Sequence, residues 1–117
     1  ASDVYKRQTY YIALPDPDKA RGPEPEFSFT SSSAEGYAQQ LQDALRTDVL
    51  FARWRDAQDE PDQVPPSLGA VDPAAHVQGK IDDLHIDLVV DTSVPSEVLK
   101  HRLGLLAGSG WRLHDVR

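Results

Sequence analysis

The sequence predicts an α+β domain with an antiparallel sheet and two helices on one face, and three observations carry that reading. Leu84, Ile86, Leu88 and Val90 alternate with His85, Asp87 and Asp91, the two-residue period of a half-buried strand. Tyr37, Leu41, Ala44 and Leu45 recur at helical spacing after a run of serines, and Val98, Leu99, Leu103 and Leu106 do so after Pro95. Proline and glycine punctuate residues 15–26 and 59–75, which rules out regular structure there and separates the patterned segments.

Residues 1–8 show neither period and are expected to be a non-native or disordered leader, with one α+β domain over residues 9–117. Strand formers fill residues 9–14, where Tyr10, Ile12 and Leu14 share a face, and Pro15 ends the run. Phe27 and Phe29 fit either a short strand or an extended lead-in packed on the core. Ser32 with Glu35 has capping-box spacing and predicts a helix start; the helix runs to about Gln58, with Thr47 and Asp48 marking a bend. A turn at Asp82 and Asp83 pairs Ile81 with Leu84, Gly79 with Ile86 and Val77 with Leu88, so both strands of the hairpin bury one face. Pro95 opens a second helix, Gly108 and Gly110 close it, and Trp111 and Leu113 begin a last strand. The core is expected to gather Leu41, Leu45, Ile86, Leu88, Leu99, Leu103 and Trp111.

The order strand, helix, strand, strand, helix, strand is that of a ferredoxin-like split βαβ sandwich. A fold of this kind hosts many functions, so activity has to be argued from side chains.

Composition narrows the function classes. The 117 residues include no cysteine, which excludes a disulfide framework, a thiolate metal site and a cysteine nucleophile, and fits a cytoplasmic protein. Uncharged apolar runs are far shorter than the roughly 20 residues of a membrane-spanning helix. Net charge is -7, and the acids are concentrated: between Asp56 and Asp91 nine acids face a single base, Lys80. That segment repels a polyanion, so no nucleic-acid partner is expected.

The sheet face turned away from the helices is predicted to carry His76, Gln78 and Lys80 on one hairpin strand and His85, Asp87, Val89 and Asp91 on the other, with Arg112 and His114 on the last strand. His76, His85, Asp87 and His114 are the metal-ligand candidates, since imidazoles and carboxylates suit divalent cations. The plainer reading of the same residues is a solvated sheet face. Asp82 and Asp83 read as turn formers, and Lys100, His101 and Arg102 as a solvated basic helix face or an anion site. Ser31 to Ser33 lack the surroundings of an acyl-transfer nucleophile, and Gly104, Gly108 and Gly110 do not follow a strand as a phosphate loop would. No cofactor motif and no catalytic constellation is present in the sequence. The leading expectation is therefore an accessory or protein-interaction module, self-associating or docking on a protein partner, with Asp59, Glu60 and Asp62 as acidic contacts. The alternative is a small metal-binding protein or enzyme using the histidines and aspartates of the open sheet face.

Overall fold

Tyr10, Ile12 and Leu14 fall on one side of the first strand, and burying them requires a covering layer. A computed structural model of the chain, describing residues 7–117, shows how that layer is made. The elements run β1 (Gln8–Leu14), α1 (Ala34–Arg46), α2 (Val49–Asp56), β2 (His76–Asp82), β3 (His85–Thr92), α3 (Ser96–Ala107) and β4 (Arg112–Val116). The fold is thus α+β, with three α-helices and one antiparallel sheet among the described residues, in the order β2-β3-β1-β4. The expected leader at residues 1–8 lies mostly outside the described residues; Gln8 opens β1 opposite Thr92.

Alternation builds the sheet's inner face. Tyr10, Ile12 and Leu14 stand opposite Val90, Leu88 and Ile86, and all six are buried. Helix α1 lies over β2, held close because Gly79 has no side chain: a Cβ there would sit 2.2 Å from the Ala34 carbonyl oxygen. Leu41, Leu45, Leu99 and Leu103 complete the same core, and Trp111 packs against it partly buried. The Cα extents are 43 × 37 × 19 Å, and the short axis has room for one helical layer on one sheet. Among the described residues no helix covers the other face of the sheet.

Several expectations are corrected in detail. The cap of α1 is Ser33, whose hydroxyl accepts from the Gly36 amide at 3.0 Å, and not the Ser32–Glu35 box. The predicted single helix breaks at Thr47, whose backbone is extended, so α1 and α2 are separate and the helices number three rather than two. The bend lets Phe51 turn inward where a straight helix would have carried it away from the core stripe. Phe27 and Phe29 are both buried without forming a strand; the Phe29 amide donates to the Leu106 carbonyl at 2.9 Å, and the Phe29 ring meets Tyr37 edge-on at 4.8 Å. Trp111 lies just ahead of β4, which starts at Arg112.

The hairpin register also moves. Ile81 pairs with Ile86, Gly79 with Leu88 and Val77 with Val90, and the turn residues are Asp83 and Leu84. This is a two-residue slip from the expected pairing. It keeps every side chain on its expected face, because an even slip preserves the two-residue period. Asp83 takes a positive φ of 61°, which aspartate tolerates better than a bulky residue does. Leu84, expected on the buried face of the strand opposite Ile81, stands at the tip with 88% exposure.

The connection over residues 57–75 contains short 3-10 turns at Pro61–Gln63 and Pro66–Gly69 and buries Asp72 near its end. Among the described residues no helix is long and apolar enough to cross a membrane.

Candidate functional site

The uncovered face follows from the same alternation. On β1 it carries Tyr11 and Ala13, on β3 His85, Asp87, Val89 and Asp91, and on β2 His76, Gln78 and Lys80. Tyr11 and Gln78 flank Val89, while Ala13 and Lys80 flank Asp87. Strand β4 adds Arg112 opposite Ala13 and Asp115 opposite Tyr11, and its register shifts between them so that His114 is the extra residue of a bulge. Arg117 reaches over the Tyr11 ring at 5.5 Å and is held there by a 2.8 Å ion pair with Asp115. The result is a small apolar centre, Tyr11 with Val89, inside a polar and charged rim. A groove of about 1050 Å³ runs over this centre, bordered by Gln78, Lys80, Asp87 and His114 and continuing past β2 to the flank of α1.

At the hairpin tip the two-residue turn sets Asp82 opposite His85, and Asp87 follows His85 on the same face. His85 Nε2 lies 3.3 Å from Asp87 Oδ1 and 4.0 Å from Asp82 Oδ2. One ligand atom from each of the three falls within 4.8 Å of the others, and tightening by rotamer adjustment would bring them to the roughly 3 to 4 Å spacing of donors around a metal held at about 2.1 Å.

Two of the four predicted metal ligands, His85 and Asp87, therefore meet. The other two do not join them. His76 pairs with Asp91 at the far end of the hairpin, about 20 Å from the tip at roughly 3.3 Å per residue, and contacts the Gln78 amide at 3.3 Å. His114 sits on β4, separated from β3 by β1. Asp82, read from sequence as a turn former, takes their place; the spacing Asp82-x-x-His85-x-Asp87 is a usable signal only once the turn is known to lie at residues 83 and 84.

Asp59, Glu60 and Asp62 are all exposed in the connection after α2. The basic cluster expected on α3 is dispersed: Lys100 is exposed, His101 half-buried and Arg102 fully buried. The His101 ring stacks edge-on against Trp54 at 4.5 Å. Burial, reinforced by the Arg102 charge, pushes its imidazole below the ordinary histidine range. Arg102 donates to the Ala70 carbonyl at 3.0 Å and lies over the Phe51 ring at 5.6 Å. It serves packing between α3 and the long connection, not anion capture.

No known family, curated protein or solved structure matches this chain. What the surface does has to be argued from its own geometry.

Proposed function

We propose that this chain is a protein-interaction module that docks through the uncovered face of its sheet. The observation that carries the reading is the groove of about 1050 Å³ over Tyr11 and Val89. An apolar centre within a polar rim is the anatomy of a protein interface, and a sheet covered on one side only leaves that centre available. The exposed acids Asp59, Glu60 and Asp62 would steer a basic partner toward the molecule, and the net charge of -7 works against a polyanionic one such as nucleic acid. A cysteine-free chain suits a reducing compartment, which favours a cytoplasmic location. Retention of source-cell proteins on immobilised chain tests the proposal. Val89→Lys, which changes only the uncovered face, is expected to release what the parent retains while leaving the circular dichroism spectrum unchanged. An identical retained set for both chains overturns it.

The finer reading of the fold as a ferredoxin-like split βαβ sandwich goes with this function. Its support is that β1 and β2 are both antiparallel to β3, which lies between them, with α1 joining the first pair and α3 joining β3 to β4. Helix α2 is an addition to that pattern.

A second reading is a divalent-cation site, and the triad of Asp82, His85 and Asp87 is the observation that favours it. Carboxylate and imidazole donors suit zinc or manganese.

A further inference from the structure

We infer that the occupant of the β2 border of this surface is a second copy of the chain, paired antiparallel along β2 so that two four-stranded sheets become one. This rests on the reading of the chain as an interaction module and names a partner for its β2 edge, distinct from the basic partner that the exposed acids would steer.

The backbone of β2 supplies the first argument. In an antiparallel ladder, successive residues point their amide and carbonyl groups alternately to one neighbour and the other. The Val77 amide donates to Gln42 Oε1 at 3.1 Å and the Ala75 carbonyl accepts from Arg46 Nε at 2.7 Å, so the odd-numbered residues face outward, away from β3. Side chains of α1 thus close the beginning of this edge. Further along, the amides of Gly79 and Ile81 also face outward, and among the described residues neither has an acceptor. An open edge with an exposed apolar residue is a template for strand pairing, and Ile81 is 62% exposed.

Register supplies the second argument. Gly79 is the midpoint of His76–Asp82, so a two-fold axis through it overlaps the whole strand with itself. That axis also sets outward-facing residues opposite one another: each Gly79 amide reaches the Gly79 carbonyl of the second copy, and each Ile81 amide reaches its Val77 carbonyl. In this register the Val77 amide exchanges Gln42 Oε1 for the Ile81 carbonyl of the second copy, so pairing requires the Gln42 side chain to swing off the edge. Ile81 is covered by Val77 of the second copy, and on the uncovered face His76 meets Asp82 while Gln78 meets Lys80. No like charges stand directly opposed. A shift that placed the axis at Lys80 would set Lys80 against Lys80, an unfavourable pair.

The full chain tests this directly. Sedimentation velocity over a micromolar concentration series is expected to show a monomer–dimer equilibrium, and Ile81→Lys, at an exposed position, is expected to raise the dissociation constant at least about tenfold without altering the thermal midpoint measured at concentrations where both chains are monomeric. Because the chain has no cysteine, register can be read by crosslinking. Gln78 and Lys80 would form a non-hydrogen-bonded pair across the axis, with Cα atoms about 4.5 Å apart, within disulfide reach. Mixed Gln78→Cys and Lys80→Cys chains are expected to give the heterodisulfide in preference to either homodisulfide, and Leu84→Cys chains to stay uncrosslinked. A monomer at every concentration, an unchanged constant for Ile81→Lys, or predominant homodisulfides overturns the proposal. If the monomeric chain gains hydrogen-exchange protection on β2 and β3 from a source-cell protein, self-pairing falls and the docking reading stands. Without such protection both fall.

Discussion

Asp72 and Thr92 close the long connection onto the end of β3: the Thr92 hydroxyl donates to Asp72 Oδ2 at 3.0 Å, and the Ser93 amide donates to the same oxygen at 3.0 Å. The Ala74 amide binds the other carboxylate oxygen at 3.0 Å, and Arg7 forms an ion pair at 3.2 Å. Burial alone would push the Asp72 carboxyl up, but the Ser93 and Ala74 amides, the Thr92 hydroxyl and Arg7 together hold it below the ordinary range.

Asp72→Ala leaves the buried Thr92 hydroxyl and the Ser93 amide without their acceptor, and is expected to cost about 2 to 3 kcal/mol at neutral pH. Because the folded-state pKa is depressed, the carboxylate's contribution is complete above its unfolded value of about 3.9 and is lost as pH falls through the folded value. Urea titrations at neutral and acidic pH should therefore show parent and variant converging in acid. A difference that stays constant across that window would contradict the assignment.

Leu88 is fully buried at the centre of the core, between Ile12 of β1 and Gly79 of β2. Leu88→Ala removes its contacts where a packed sheet cannot collapse to fill the space, and is expected to cost about 2 to 5 kcal/mol. A loss below about 1 kcal/mol in denaturant titration would contradict its central place.

The core was legible because its signal is local and periodic: Ile86, Leu88 and Val90 declare their face within a few residues of sequence. The hairpin register was not, since a two-residue slip leaves the same faces buried and only turn chemistry distinguishes the alternatives. The break at Thr47 was visible as a conflict between the stripe ending at Leu45 and the position of Phe51. Arg102 was misread because an arginine among Lys100 and His101 carries no local sign that a connection some thirty residues earlier in the chain covers it. Separation in sequence also hid Asp72, whose partners Thr92, at the end of β3, and Ser93, just after it, lie 20 and 21 residues away. Of the hairpin-tip triad, His85 and Asp87 were readable from strand alternation, whereas Asp82 needed the turn geometry.

Arg102 is fully buried, yet its Nε and Nη1 have no acceptor among the described residues. Burial lowers its pKa, and Asp48 offsets this only in part. A charge so poorly compensated costs stability, so Arg102→Met, which keeps the length and removes the charge, is expected to be neutral or to stabilise by about 1 to 3 kcal/mol despite losing the bond to the Ala70 carbonyl. Thermal and urea unfolding measure the difference. Destabilisation beyond about 1 kcal/mol would mean that the guanidinium is better satisfied than its protein contacts indicate.

The cation reading of the hairpin tip makes the most discriminating prediction, because it separates residues that the sequence grouped together. If Asp82, His85 and Asp87 hold a divalent ion, titration calorimetry with Zn²⁺ or Mn²⁺ should give one site per chain. His85→Ala and Asp87→Asn should each weaken it at least about tenfold, since neither of the remaining two donors can complete the set. His76→Ala and His114→Ala should leave it unchanged, as the first lies at the opposite end of the hairpin and the second on a strand beyond β1. An ion that binds only the folded chain also raises its stability, by about 2.7 kcal/mol at a hundredfold excess over the dissociation constant, so the thermal midpoint should climb with metal for the parent and not for His85→Ala. Binding that survives His85→Ala, or that His76→Ala abolishes, would place the ion elsewhere. Absence of any binding would leave the three side chains as a solvated charge cluster at a turn.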